Sequence, residues 1–247
     1  MRISIQSDIA SVTRRLTETQ SKHVPFATVL AITRTAQLVK QAEISEMRRV
    51  FDQPTAYTLN SLFVHPATKA KPYADVFLKD DTSKGTPAAK YLLPQIKGGL
   101  RPIKRFERAL QRIGAMPNDM VAVPGRGARF DQNGNMSRGQ IVQILSFLRA
   151  FGEQGYRANR AKDAKLKKGQ RAYFAVFGGR GSDLPPGVYQ RFGTHGVKIL
   201  PVIRYVKPPL YARLFRFAEV GQRTVRMHIG PQFRQALADA LTKGKRT

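Results

Sequence analysis

From Pro25 to Phe51 the apolar residues Val29, Ile32, Ala36, Val39, Met47 and Val50 recur at three- and four-residue spacing, while Arg34, Lys40, Glu43 and Arg48 fall on the opposite face. This is the stripe of a long amphipathic helix, opened by a proline that suits a first turn and stopped by Pro54. Ahead of it, Ile9, Val12 and Leu16 keep the same period from Ser7 to Gln20, with Ser7 and Asp8 as a cap, and predict a shorter helix. The period then changes. Residues 58–64 and 73–79 suit extended chain, the second alternating sides, and Pro66 and Pro72 bracket the connection, so two paired strands are expected.

Beyond the turn at Lys84-Gly85-Thr86-Pro87, residues 88–93 and 101–113 read as helices separated by Gly98-Gly99. Residues 117–136, rich in glycine and proline, read as a long loop. Ser137 then caps a helix to Phe151 with Ile141, Ile144, Leu145 and Leu148 inward. Residues 172–177, 187–192 and 199–206 read as three strands. From Pro208 to about Leu241 the helical period returns, with Val225, Ile229, Phe233, Leu237 and Leu241 on one face and an expected break at Gly230-Pro231. The order predicts an α+β fold: a long N-terminal helix packed on a mainly antiparallel β-sheet, an inserted helical middle region and a C-terminal helix. The expected divisions are 1–90 for the first helices and strands, 91–152 for the inserted region, 153–171 for a basic mobile segment, and 172–247 for the strands and helix that complete the core.

Charge changes this picture more than size does. The 247 residues carry 43 Lys and Arg against 16 Asp and Glu, a formal charge of +27, so contact with a polyanion or with charge-compensating neighbours is expected. No cysteine is present, which excludes disulfides, thiolate zinc sites and thiol nucleophiles. The four histidines, His23, His65, His195 and His228, are scattered rather than set at metal-ligand spacing. No cofactor, no metal and no enzymatic activity are expected. No apolar run approaches the roughly 18 residues of a membrane span, which predicts a cytoplasmic protein unless an assembly carries it out.

Gly125-Arg126-Gly127 and Gly178-Gly179-Arg180-Gly181 invite comparison with phosphate cradles, yet neither is followed by Gly-Lys-Ser/Thr, and both read better as turns. Asp80 and Asp81 read as solvated turn residues, and His195 has no evident partner for general-base chemistry. The cluster of Arg157, Arg160, Lys165, Lys167 and Lys168, almost without apolar residues, is the candidate contact with DNA or an acidic partner, against the alternative of a solvated loop. The excess of base continues through Arg204, Lys207, Arg213, Arg216, Arg223 and Arg226.

Two segments also resemble a known family. His23-Val24-Pro25-Phe26-Ala27-Thr28-Val29-Leu30-Ala31-Ile32-Thr33-Arg34-Thr35-Ala36 is similar to a helix of the minor tail protein Z family of tailed bacteriophages and prophages. Residues 184–193 and 200–210 resemble that family's proline-led strand, its basic Arg-x-Gly strand end and the strand that feeds its terminal helix. The middle, about 91–151, departs from the pattern. The resemblance implies a virion structural protein at the head-proximal end of the tail, without catalytic residues, made in the host cytoplasm. It would form a ring of roughly six or twelve copies around the DNA channel. Its implied partners are neck proteins on the connector or portal side, the tail tube or tail terminator protein, and the packaged double-stranded DNA, with no membrane. The alternative from composition alone is a monomeric basic nucleic-acid-binding protein.

Overall fold

The computed structural model describes residues 1–6, 18–83, 85–152, 157–161, 172–177, 183–192 and 198–243. In chain order the elements are β1 (Arg2–Gln6), α1 (Glu18–Val50), α2 (Ala56–Leu59), β2 (Leu62–His65), β3 (Tyr73–Leu78), α3 (Ala88–Lys97), α4 (Arg105–Arg112), β4 (Val121–Pro124), α5 (Arg138–Phe147), β5 (Ala172–Val176), β6 (Gly187–Phe192), β7 (Lys198–Val206) and α6 (Phe217–Lys243). They fall into two compact units, residues 1–99 with 211–247, and residues 100–210. The α+β class holds, with a long N-terminal helix on an antiparallel sheet and a C-terminal helix.

In the first unit β3 lies between β1 and β2, antiparallel to both. Period-two alternation turns Leu62, Ala74, Val76, Leu78 and Ile5 to one face, where they are buried with Ile32, Ala36, Val39 and Met47 of α1. The other flank of α1 is covered by α6, which runs antiparallel to it. Ala27 and Ala31 meet Ala236 at one end, and Arg34 reaches Asp239 at 3.4 Å. At the other end Gly221 lets α6 approach both β1 and α1, since a Cβ there would stand 2.1 Å from Ile3 Cδ1. The chain leaves this unit at Gly99 and returns at Tyr211, where the two residues exchange backbone hydrogen bonds of 3.0 and 2.9 Å. Phe215, fully buried edge-on to Phe51 and Phe217, anchors the return.

The second unit is built on a four-stranded antiparallel sheet in the order β4-β7-β6-β5. Its core joins Val188, Val202, Ile203, Tyr173 and Tyr205 to Leu110 of α4 and Ile144 and Leu145 of α5. The buried Tyr205 hydroxyl donates to Ala115 O at 2.8 Å. A register shift between Val188 and Tyr189 places Pro201, which has no N–H for the ladder, opposite Tyr189.

Several elements differ from the sequence reading. α1 begins at Glu18, so Pro25 sits inside the helix. α6 begins at Phe217 rather than Pro208, and it passes through Pro231 unbroken. Gly230, without a Cβ, relieves the clash a proline makes with the preceding residue, and packing of α6 on α1 on both sides of the proline holds the rest. Residues 58–59 close the short helix α2 instead of starting a strand, because Thr55 caps it through Thr58 N at 3.2 Å. β1 and β4 form where no strand was expected, β4 within the supposed loop 117–136. The expected helix at 7–20 lies outside the described residues except for 18–20, which belong to α1.

Candidate functional site: an arginine-lined groove

The seam between α1 and α6 opens on one side of the first unit into a cleft of about 780 Å³ lined by Glu46, Arg49, Val50, Arg213, Leu214, Arg216, Glu219, Val220 and Arg223. It continues along the seam past Leu38, Ala42, Met227 and His228. The geometry follows from helical spacing. Glu46 and Arg49 lie one turn apart at the end of α1, Glu219 and Arg223 one turn apart at the start of α6, and antiparallel packing brings the two ends together.

Two of the four arginines are held by carboxylates. Arg49 grips Glu46 through two bonds of 2.8 and 2.6 Å, and Arg213 reaches Glu219 at 2.5 Å. The hydrogen bond from Arg49 is the main reason the Glu46 carboxyl sits below the usual carboxylate range, with Arg223 and Arg216 adding to it. Glu219 is likewise lowered, first by its own backbone amide and then by Arg213. Arg216 and Arg223 are exposed and form no ion pair among the described residues. Directly beneath, Glu43 is fully buried and no side chain among the described residues donates to its carboxylate, while the backbone N–H of Gly221 that faces it only partly offsets the burial. Burial, reinforced by the charge of Glu46, pushes its pKa up to about 9, so it is neutral at physiological pH.

The basic cluster expected from sequence is placed only in part. Arg157 is exposed in a short turn. Arg160 is half-buried, its guanidinium 4.7 Å from the Phe147 ring centre and its backbone N–H donating to Ser146 O at 3.0 Å, so it packs the second unit as well as carrying charge. Lys165, Lys167 and Lys168 lie outside the described residues, as do His195 and residues 178–181. The mobility expected for 153–171 likewise falls mostly on residues outside those described.

The glycines at 125 and 127 serve packing. Gly125 N donates to Val202 O at 2.9 Å and Gly127 N to Pro201 O at 2.8 Å, so amides that would cradle a phosphate are already bound to β7. A Cβ on Gly125 would stand 2.5 Å from Pro201 O. Asp80 and Asp81 are exposed, with Asp81 accepting from Thr82 N at 2.7 Å. Among the described residues no group of three or more His, Asp or Glu is placed to hold a metal ion, and no helix is long and apolar enough to cross a membrane.

Sequence reasoning singled out Arg213, Arg216 and Arg223 as part of a general excess of base. It did not join them to Arg49 and Glu46, 164 or more positions away, because only the antiparallel pairing of α1 and α6 does so. Comparison with known proteins finds no matching family, no matching characterised relative and no matching solved structure.

Proposed function

We propose that this protein is a structural component of a tailed-phage particle, placed at the head-proximal end of the tail and assembled as a ring around the DNA channel. The reading is carried by the segments at 23–36, 184–193 and 200–210, whose pattern is similar to the minor tail protein Z family. It is supported by the way those segments are used here. Val24, Ala27, Ala31, Ile32 and Ala36 are buried core of α1, and Val188, Val202 and Ile203 are buried core of the second unit, so the shared pattern is one of packing. A basic surface with two unpaired groove arginines suits an assembly whose partners supply anions.

Mass spectrometry of purified virions is the test. The protein is expected in intact particles at a fixed ratio to the tail proteins; its confinement to infected-cell lysate would reject the reading. The charge of +27 favours one other reading, a monomeric nucleic-acid-binding protein. Mass under assembly conditions separates the two: a closed oligomer supports the ring, whereas a monomer that binds duplex DNA supports the alternative.

A further inference from the structure

We infer that the α1–α6 groove is the docking site for an acidic amphipathic helix supplied by a different protein. The lining sets four arginines against two glutamates, an excess of two cations, and Arg216 and Arg223 form no ion pair among the described residues. The lining also holds apolar residues, Val50, Leu214 and Val220 at one end and Leu38, Ala42 and Met227 further along among the polar Gln41, Ser45, Thr224 and His228, with Leu214 50% and Met227 55% exposed. A seam between two helices whose lining mixes exposed apolar residues with unpaired cations is complementary to a third helix bearing an apolar stripe flanked by carboxylates. The stretch of α6 from Phe217 to His228 sets the length of the seat at roughly 12 helical residues, or about 17 Å.

Nucleic acid fits this surface less well. Glu46 and Glu219 stand in the lining, where they would face a phosphate backbone, and the exposed Leu214 and Met227 have nothing to meet in a phosphodiester chain. A second copy of this chain does not supply the ligand either. In the whole sequence the only acids three or four positions apart are Glu43 and Glu46, of which the first is fully buried and the second is held by Arg49. These 247 residues thus offer no such carboxylate face, and the partner we infer is a different protein. This conclusion rests on the groove alone and stands or falls apart from the virion reading.

The test is a peptide-display selection on the full chain with helix-forming peptides of roughly 14 residues, followed by fluorescence anisotropy with the enriched peptides. Enrichment of peptides with Glu or Asp at three- and four-residue spacing beside an apolar stripe is expected. The double variant Arg216→Glu/Arg223→Glu should weaken them at least about tenfold and should bind charge-swapped, Lys-bearing versions better than the parent does. The neutral pair Arg216→Gln/Arg223→Gln guards against a folding defect in the double charge reversal, and should weaken binding in the same direction with an unchanged circular dichroism spectrum. Failure to enrich any peptide, enrichment without acids, or equal binding to the variants would overturn the inference. Displacement of the peptide by a 20-base-pair DNA duplex at comparable concentration, about one charge per 1.7 Å of helix axis, would overturn it in favour of a nucleic-acid site.

Discussion

Among the described residues each unit buries one glutamate completely, Glu43 in the first and Glu107 in the second, and the two are treated in opposite ways. Glu107, in the second unit, receives both guanidinium nitrogens of Arg101 at 2.8 and 2.5 Å and the backbone N–H groups of Lys104 and Ala122 at 2.6 and 2.8 Å. Burial alone would raise its pKa, but the Arg101 hydrogen bonds and the two amides together outweigh it and hold the carboxyl below its ordinary value. Glu43, in the first unit, is faced by the Gly221 backbone N–H but by no side-chain donor among the described residues, and is raised to about 9. A carboxyl can thus be buried as a satisfied anion or as a neutral acid, and the number of donors that converge on it decides which. The anion knits α4 to β4. The neutral acid lies under the arginine groove, where α6 closes over α1 at Gly221.

The largest expected effect comes from breaking the satisfied site. Glu107→Ala removes the carboxylate that neutralises the Arg101 guanidinium, only 13% exposed, and leaves the amides of Lys104 and Ala122 without this acceptor. Such a loss costs on the order of 3–5 kcal/mol. Urea unfolding followed by tryptophan-free probes such as far-UV circular dichroism would register it as a fall in midpoint with little change in slope.

Glu43 supplies the complementary test, and its sign is opposite. A carboxyl whose folded pKa lies above its unfolded value of 4.5 favours the folded state fully only while it is protonated in both states. As pH rises above 4.5 the unfolded chain releases the proton and the folded chain keeps it, so stability falls progressively until pH 9. At pH 7 the penalty is roughly 3 kcal/mol. Glu43→Leu should therefore stabilise the protein by about 2–3 kcal/mol at neutral pH, and by less as pH falls toward 4.5. Paired unfolding curves of parent and variant from pH 5 to 9 subtract the titrations that Glu43 does not touch, and stay above the lowered carboxyls of Glu46 and Glu219, which interact with it. A difference independent of pH would show that Glu43 is ionised in the folded protein. Glu107, held low, works the other way: its support is present above the unfolded carboxylate range and is lost as pH drops through its folded pKa.

The smallest effect sharpens a different contrast, between cations that pack and cations that remain available. Arg160→Ala removes the guanidinium from the face of Phe147 and should cost about 0.5–1 kcal/mol, read as a shift of a few degrees in melting temperature. Arg216→Gln, at a residue without an ion pair, should leave the melting temperature within about a degree of the parent.

How far the sequence revealed these sites follows from what periodicity reports. Spacing along α1 located its sheet-facing stripe of Ile32, Ala36, Val39 and Met47, because that stripe packs on a single partner. The same reading placed Glu43 on a solvated face with Arg34, Lys40 and Arg48. The structure buries it, since α6 covers a second flank of the helix, and one helix's period says nothing about a partner more than 170 residues later. The strands β3, β6 and β7 were legible from alternation and turn residues. β4 was not, because Val121-Ala122-Val123-Pro124 is short, ends in proline and becomes a strand only by pairing with β7. The groove inherits the same blindness. Its arginines could be counted in sequence, but their convergence is a tertiary fact.

An image of the assembled particle tests the central proposal most directly. Single-particle electron microscopy of virions, with the protein labelled by a C-terminal tag, is expected to place it as a closed ring at the head-proximal end of the tail, coaxial with the DNA channel. Label along the tail shaft, on the capsid surface, or absent from particles that are otherwise complete and infectious would contradict it.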